Sequence, residues 1–138
     1  RYDLHRGELP TRKTGSQVSS ETGRVTAYAL NALADRGPFL VDAGEEVYEG
    51  QITGEHRRDE DVLVNPCRKK ALSNMRASGT DEKADYPPPV RKSIEESLEF
   101  LVDDELLECT PKSLRIRKRT LKEADRRKIA RAERNRLA

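Results

Sequence analysis

Apolar residues in the first half of the chain come in short runs separated by Gly, Pro and Asp, which is typical of short strands joined by turns. Residues 17–20 and 24–30 flank a Gly-bearing turn and predict a hairpin. Over residues 26–34 the pattern leaves helix and strand open, because the alanines favour a helix whereas the apolar alternation favours a strand. The turn residues at 35–38 end this segment. Three further strands are predicted at 39–41, 47–54 and 62–64.

In the last third, Ser93 and Glu96 have the spacing of a capping box, in which each side chain accepts a hydrogen bond from the other residue's backbone N–H. A helix of about ten residues is therefore predicted to begin there. Its apolar residues recur at helical spacing and predict one buried stripe. The stripe comprises Ile94, Leu98, Leu101 and Val102.

Beyond this helix the pattern predicts two strands and a last helix. Strands at 105–109 and 113–119 are joined at a Thr-Pro turn, and the alternation along the second strand gives it one apolar and one basic face. Thr120 and Glu123 have the spacing of a second capping box, which predicts a helix that continues to about Leu137. Few residues of that helix are apolar, so we expect it to dock weakly.

These elements predict an α+β domain with a mostly antiparallel sheet, since no clear crossover helix separates two strands before Ser93. The length of 138 residues suits one such domain. Residues 1–15 carry Gly and Pro without any period and are expected to form a connecting arm or the end of a preceding domain. The domain itself is assigned to residues 16–120, and residues 121–138 to a basic helix or tail. Because the chain begins at Arg1 and not at Met, we expect it to be a fragment of a longer protein. We also expect it to be a monomer.

The net charge of +2 conceals a strong segregation of charge along the chain. Residues 93–111 carry seven acids and no Lys or Arg, whereas residues 112–138 carry twelve Lys and Arg against three acids. Such a basic segment favours a polyphosphate partner, because binding releases condensed counterions. The alternative is that the basic segment pairs with the acidic helix beside it.

A second basic stretch lies in the long loop predicted over residues 65–82. A loop of this length within a small domain is typically functional or disordered. Its cations suit phosphates, and its Asn and Ser side chains suit sugar hydroxyls or base edges, whereas it lacks aromatic residues for base stacking. We expect it to be mobile in the isolated chain and to order on RNA, the alternative being an ordinary surface loop. The candidate contact residues are Asn65, Arg68, Lys69, Lys70, Leu72, Asn74, Arg76 and Ser78.

Motifs for catalysis are absent from the sequence. Neither GxxxxGK[ST] nor GxGxxG occurs. Cys67 and Cys109 fit neither a metal-ligand spacing nor a disulfide framework and are expected to be reduced thiols. His56 lies eleven residues before Cys67, but no third group would orient such a pair, and the acidic triplet 59–61 is interpreted as a solvated turn. We therefore expect no catalysis, metal or cofactor in this chain, and no membrane span, since no run of ten apolar residues occurs.

Several longer strings occur in consistent order and spacing along the chain. They are RG at 36–37, VYEGQI at 47–52, GEHRR at 54–58, VN at 64–65, SNMRASGTDE at 73–82, PP at 87–88, IEESLEFLVDDEL at 94–106, TP at 110–111 and LRIRKR at 114–119. Together they resemble the C-terminal region of the TypA/BipA translational GTPases, and the resemblance extends from residue 15 to residue 127. Pro38 and the pair Cys67-Arg68 depart from the family pattern, but neither departure touches the core of the loop.

The resemblance implies a barrel-like, mostly antiparallel sheet with a few flanking helices and a long basic loop over residues 64–82. It also implies a cytoplasmic, ribosome-binding domain that contacts large-subunit rRNA and the tRNA acceptor end. Its role would be in stress-responsive translation and large-subunit assembly. GTP and Mg²⁺ would be bound by a separate GTP-hydrolysing domain of the full-length family members and not by this chain.

Basic residues outside the loop are assigned to a secondary RNA-contacting surface. The alternative is a protein–protein interaction module that uses the acidic helix 93–108. The secondary surface comprises Arg57, Arg58, Arg115, Arg117, Lys118, Arg119, Arg126 and Arg127.

Overall fold

The computed structural model of the chain describes residues 12–69 and 86–138. These residues contain seven strands, three α-helices and one short 3₁₀ turn. The strands are β1 (Ser16–Ser19), β2 (Gly23–Arg24), β3 (Glu46–Val47), β4 (Ile52–Glu55), β5 (Val62–Val64), β6 (Glu105–Cys109) and β7 (Leu114–Lys118). The helices are α1 (Ala27–Leu33), α2 (Ile94–Phe100) and α3 (Glu123–Leu137), and the 3₁₀ turn is Ala34–Arg36.

The strands form three small sheets. The largest has the order β4-β1-β5, with β1 antiparallel to β4 and parallel to β5. β2 pairs with β3, and β6 pairs with β7, both antiparallel. The predicted α+β class with mainly antiparallel pairing is confirmed, whereas the described strands do not close into the barrel-like sheet that was expected. Most of the expected basic loop lies outside the described residues.

The hairpin predicted over residues 17–30 is wrong, because β1 and β2 do not pair with each other. All four residues of β1 are buried, and this strand lies in the centre of its sheet between partners from distant parts of the sequence. The segment after β2 is a helix, because the Thr26 hydroxyl accepts a hydrogen bond from the Ala29 N–H and caps α1. The β1–β5 pair is the parallel exception within the mostly antiparallel pairing that was predicted, and α1 and three strands intervene between its members.

Two of the predicted strands are altered by turns. The strand expected over 47–54 is divided into β3 and β4 by a turn at Gly50, whose φ of 91° lies in the left-handed region that favours glycine. A Cβ at Gly50 would lie 2.7 Å from the backbone of Leu121, so the turn also packs closely against the segment before α3. Residues 39–41 form no strand, since the chain bends at residues 40 and 41, and Phe39 makes one isolated bridge, to Gly54.

The capping box that begins α2 is confirmed, since the two reciprocal hydrogen bonds between Ser93 and Glu96 are both 3.2 Å long. The apolar stripe predicted for this helix is wrong at Ile94 and Leu98, whereas Leu101, just beyond the helix, is half-buried and packs against the core. Ile94 and Leu98 are 50% and 57% exposed, and the helix buries Ser97 and Phe100 instead. The helix is only seven residues long, and the large Phe100 ring at its end determines which face turns inward.

The last helix is confirmed, but its predicted capping box is wrong. α3 begins at Glu123, and Lys122 at its N-cap makes no side-chain capping bond. The N–H of Glu123 donates instead to the Glu49 carboxylate at 3.1 Å. Glu49, in the turn between β3 and β4, therefore caps α3 in place of Thr120. This hydrogen bond attaches the first turn of α3 to the domain.

Two apolar clusters form the core. We name each cluster after the helix that contributes to it. The α1 cluster comprises Val25, Leu30, Phe39, Val41 and Val47, and the α2 cluster comprises Ile52, Phe100 and Ile116.

Among the described residues, no helix has the length and the apolar character needed to cross a membrane.

Candidate nucleic-acid interface

The two ends of the predicted RNA-binding loop are attached to the same apolar cluster. At the first end Pro66 is fully buried, and Cys67 packs against the α1 cluster. At the other end Tyr86 packs against that cluster, with its ring edge-on to Phe39 at a centroid distance of 6.0 Å. We call residues 65–69 and 86–90 the loop stem. Both halves of the stem therefore rest on the core, which fixes their positions on the domain.

Thr26 holds the first half of the stem in place. Its backbone N–H donates to the Pro66 carbonyl at 3.0 Å, and its hydroxyl donates to the Arg68 carbonyl at 2.6 Å. The same hydroxyl oxygen caps α1. A single threonine therefore fixes both the start of a helix and the backbone of the stem, and it uses only the main chain of Arg68.

Three of the predicted loop residues lie on the stem and are exposed, namely Asn65, Arg68 and Lys69. The side-chain carbonyl of Asn65 accepts a hydrogen bond from the Cys67 N–H at 3.0 Å, so its amide group is the part left for a ligand. Within residues 12–69 and 86–138, no ion pair engages Arg68 or Lys69. The other predicted contact residues lie outside the described residues, namely Lys70, Leu72, Asn74, Arg76 and Ser78. The expected mobility of this loop therefore stays a prediction.

The thiol and the histidine of the stem region have structural surroundings. Burial, with a smaller contribution from Glu21, raises the pKa of Cys67, so its thiol is protonated at neutral pH. His56 is buried, and its Nδ1 lies 2.5 Å from the Glu60 carbonyl oxygen. The described part of the chain contains no group of three or more His, Cys, Asp and Glu side chains that could hold a metal ion.

Lys118 differs most from its predicted role. It was assigned to the exposed basic surface, but it lies on the inward face of β7 with Ile116 and is only 2% exposed. Its Nζ lies 2.5 Å from Asp61, 2.9 Å from Asp104 and 3.7 Å from Glu105. Burial lowers the pKa of Lys118, but the hydrogen bonds to the two aspartates outweigh it and the net shift is upward. This cation is neutralised within the fold and is removed from the predicted surface.

Lys118 belongs to a buried ionic network that sequence reasoning missed. The Glu105 carboxylate, whose side chain is fully buried, accepts hydrogen bonds from Arg12 at 2.9 Å and from the Ser16 hydroxyl at 3.0 Å. The Arg12 guanidinium also lies over the Phe100 ring, 3.9 Å from its centroid. The network thus joins β1 to the β6–β7 hairpin and connects the end of the predicted arm to the domain. The domain boundaries at residues 15 and 120 stay predictions.

The outer face of the β6–β7 hairpin carries cations that are partly neutralised. Arg117 pairs with Glu108 at 3.5 Å, and Arg115 lies opposite Glu108 in the strand register. The Tyr48 hydroxyl also donates to Glu108 at 2.8 Å, and burial together with this bond raises the pKa of Tyr48. Arg119 is exposed and donates to a backbone carbonyl of the acidic stretch. The alternative that the basic segment pairs with its acidic neighbour therefore holds for Arg117 of β7, whose partner Glu108 lies in β6.

Arg57 and Arg58 lie exposed in the connection between β4 and β5. The Arg57 N–H donates to the Arg36 carbonyl at 2.9 Å, which brings a third exposed arginine beside them. Gly37 permits this approach, since its φ is 143° and a Cβ there would lie 2.1 Å from the Glu55 carbonyl oxygen. We call Arg36, Arg57 and Arg58 the arginine rim. The RG string at 36–37 was the signal for its third member, because the glycine marks a tight backbone approach.

Cations in the first half of α3 have partners within the domain. The Arg126 guanidinium donates to the carbonyls of Thr120 and Leu121, and Arg127 pairs with Glu123 one turn earlier. These two residues were assigned to the secondary surface. Arg127 is exposed despite its partner, whereas Arg126 is half-buried and serves to hold the helix start.

Comparison with known proteins identifies the family. Residues 14–123 match the family model described as the TypA/BipA C-terminal domain. The chain is 51% identical over 130 residues to the large ribosomal subunit assembly factor BipA of Escherichia coli O6:H1, covering 94% of this chain and 21% of that protein. The same-named proteins of Salmonella typhimurium and Haemophilus influenzae are 50% and 48% identical, with 95% and 94% of this chain covered and 22% and 21% of theirs.

The chain thus spans about a fifth of the length of these relatives. The matched family model covers the strands of all three sheets and both apolar clusters. Matches of this extent and identity show common ancestry and a common fold. The chain belongs to the TypA/BipA family and corresponds to its C-terminal domain.

Proposed function

We propose that this chain is the ribosome-contacting domain of a TypA/BipA translational GTPase and that it acts in assembly of the large ribosomal subunit in the cytoplasm. Support comes from the family membership and from relatives named large ribosomal subunit assembly factor. In this proposal the domain binds large-subunit rRNA and the tRNA acceptor end, and its parent protein serves translation under stress. GTP hydrolysis belongs to another part of the parent protein, since this chain carries no nucleotide-binding motif.

The loop stem is the observation that carries the RNA contact. Arg68 and Lys69 are exposed and lack an ion-pair partner within the described residues, whereas Lys118 is neutralised by three carboxylates. The backbone beneath them is already fixed by Thr26 and by the α1 cluster. Binding a phosphate there loses little backbone entropy, because the ordering was completed on folding. The arginine rim offers three more exposed cations of the same kind.

The test is a double charge reversal on the stem, Arg68→Glu with Lys69→Glu, measured by co-sedimentation with purified large ribosomal subunits over a series of salt concentrations. Loss of two phosphate contacts should make the negative slope of log K against log salt shallower by about 2. The melting temperature should stay nearly unchanged, because exposed charges contribute little to folding.

The matched control reverses two exposed lysines away from the stem, Lys112→Glu with Lys122→Glu. It carries the same change in net charge. Equal losses in the control and the stem variant would show that net charge, and not the stem, governs binding. Unchanged binding in the stem variant would exclude the stem as the contact.

A second candidate function is an adaptor that binds protein through α2. The favouring observation is that Ile94 and Leu98 are half or more exposed on a helix that also carries Glu95, Glu96 and Glu99. An apolar interface responds little to salt, whereas phosphate contacts weaken steeply between about 50 and 200 mM. Loss of subunit binding in Leu98→Glu, with a shallow salt dependence in the wild type, would favour the adaptor over RNA contact.

A further inference from the structure

α3 has an unusual relation to the rest of the domain. None of its fifteen residues, all of them described, is buried. Its first turn is attached through Glu123, and beyond that turn a groove of about 740 Å³ lies between α3 and the β5 side of the domain. Ile129 lines this groove and is still 49% exposed. The outer half of the helix therefore contributes little to the core.

The charges of α3 divide at the middle of the helix. In the first half Arg127 pairs with Glu123, and Lys128 pairs with Asp125 at 3.5 Å. Further along, no ion pair within the described residues engages Arg131, Arg134 or Arg136. From Arg126 to the last residue the chain carries six cations and a single acid.

Three of these cations form a stripe. Arg127, Arg131 and Arg134 are spaced four and three residues apart, so they lie on one face over about 10 Å of helix length. Neither Arg131 nor Arg134 has an acid three or four positions away, and each has another arginine there. Like charges at this spacing oppose helix formation, and in this helix no burial offsets the repulsion. A bound polyanion would relieve it.

We propose that Arg131 and Arg134 of this stripe, which have no ion-pair partner within the described residues, are a second RNA contact that binds the phosphate backbone of double-stranded RNA, separately from the loop stem. The inference rests on the proposed function, since it assumes a ribosomal partner. Duplex RNA is recognised through its shape and its phosphates, which a rigid row of guanidinium groups fits. Single strands are held by aromatic stacking, and α3 has no aromatic residue. A membrane surface requires a broad apolar face, whereas the outer half of α3 offers mainly alanines.

The experiment compares the wild-type chain with Arg131→Gln/Arg134→Gln. Binding is measured by fluorescence anisotropy to an RNA duplex of about 20 base pairs and to one of its single strands, over a salt series. Lys13→Gln/Lys112→Gln is the matched control, because it removes two exposed cations outside α3. In the α3 variant we expect the negative slope of log K against log salt for the duplex to become shallower by about 2, and in the control we expect a slope close to that of the wild type. The melting temperature of the α3 variant should be unchanged, since neither of its replaced side chains is buried.

Three results of the anisotropy measurement would overturn the inference. They are an unchanged duplex slope in the α3 variant, an equal loss in the control, and tighter binding to the single strand than to the duplex. Co-sedimentation with large ribosomal subunits separates this inference from the proposed function. If the wild type fails to bind subunits, the proposed function fails, whereas normal subunit and duplex binding by the α3 variant refutes only the helix contact. Binding to phosphatidylserine vesicles that exceeds duplex binding would also contradict it.

Discussion

Replacement of Lys118 by methionine gives the sharpest test of the buried ionic network. Lys118 is 2% exposed and is the only ion-pair partner of the Asp61 and Asp104 carboxylates within residues 12–69 and 86–138. Methionine fills a similar volume without charge, so the packing of β7 against the α2 cluster is largely kept. The effect therefore reports the loss of the cation.

The magnitude follows from what each carboxylate retains. Removal of one partner of a buried pair costs about 3–5 kcal/mol when the other charge stays uncompensated. Here Glu105 keeps Arg12, and the Asp61 and Asp104 side chains are 41% and 63% exposed, so water replaces part of the loss. We expect about 2–3 kcal/mol, which lowers the melting temperature by roughly 10 °C for a domain of this size.

Thermal and urea unfolding followed by circular dichroism measure this effect. Arg119→Met is the matched control, because this neighbouring cation is exposed and its removal should change the free energy of unfolding by no more than about 0.5 kcal/mol. A melting temperature of Lys118→Met within about 2 °C of the wild type would refute the network's contribution. So would a loss of RNA binding at unchanged stability, since that would place Lys118 on the interaction surface.

Three further predictions concern pH and packing. Because the pKa of Lys118 is raised, its contribution to stability is complete below about pH 10 and is lost as the pH rises through the folded-state pKa. Urea titrations at several pH values should therefore show the free energy of unfolding falling in that range, and falling less in Lys118→Met. Gly50→Ala should lower the free energy of unfolding by at least about 1 kcal/mol more than Gly44→Ala, because both glycines have positive φ but only a Cβ at Gly50 would meet a neighbouring backbone. Equal melting temperatures of the two variants would contradict this contact. Phe100→Ala should cost about 3–5 kcal/mol and Leu98→Ala under about 0.5, and the reverse order would restore the predicted stripe.

Local signals predicted the elements whose hydrogen bonds are themselves local. The Ser93–Glu96 capping box located the start of α2, and the Thr-Pro turn with its flanking alternation located the β6–β7 hairpin. The start of α3 was missed by two residues, because its capping carboxylate comes from Glu49, which is distant in sequence. Sequence spacing cannot indicate a cap supplied by another element.

Strand pairing at the centre of the domain was less accessible from sequence. β1 has only four residues, and its partners β4 and β5 lie more than thirty residues further along the chain. A strand that short has no turn of its own to fix its register, so nearest-neighbour pairing was the natural but wrong expectation. The buried face of α2 was misjudged for a related reason, since a seven-residue helix is oriented by one large side chain more than by a stripe.

The candidate site shows how charge along a sequence differs from charge on a surface. Residues 112–138 carry a local excess of cations, yet Lys118 is enclosed by carboxylates, Arg117 pairs with Glu108, and Arg126 holds backbone carbonyls. The alternation of β7 indicated that Lys118 is buried, because Lys118 continues the inward face that includes Ile116. In the strand register it lies opposite Glu105.

The cations left over for a polyphosphate partner are those to which the fold gives no acid. By that criterion the proposed binding surface consists of the stem residues Arg68 and Lys69, the arginine rim and the outer half of α3. Counterion release depends on phosphates actually neutralised, so the salt dependence of RNA binding should follow this smaller set and not the total of Lys and Arg. A cation already paired in the free protein must give up its carboxylate before it can bind a phosphate, and the exchange releases little net free energy.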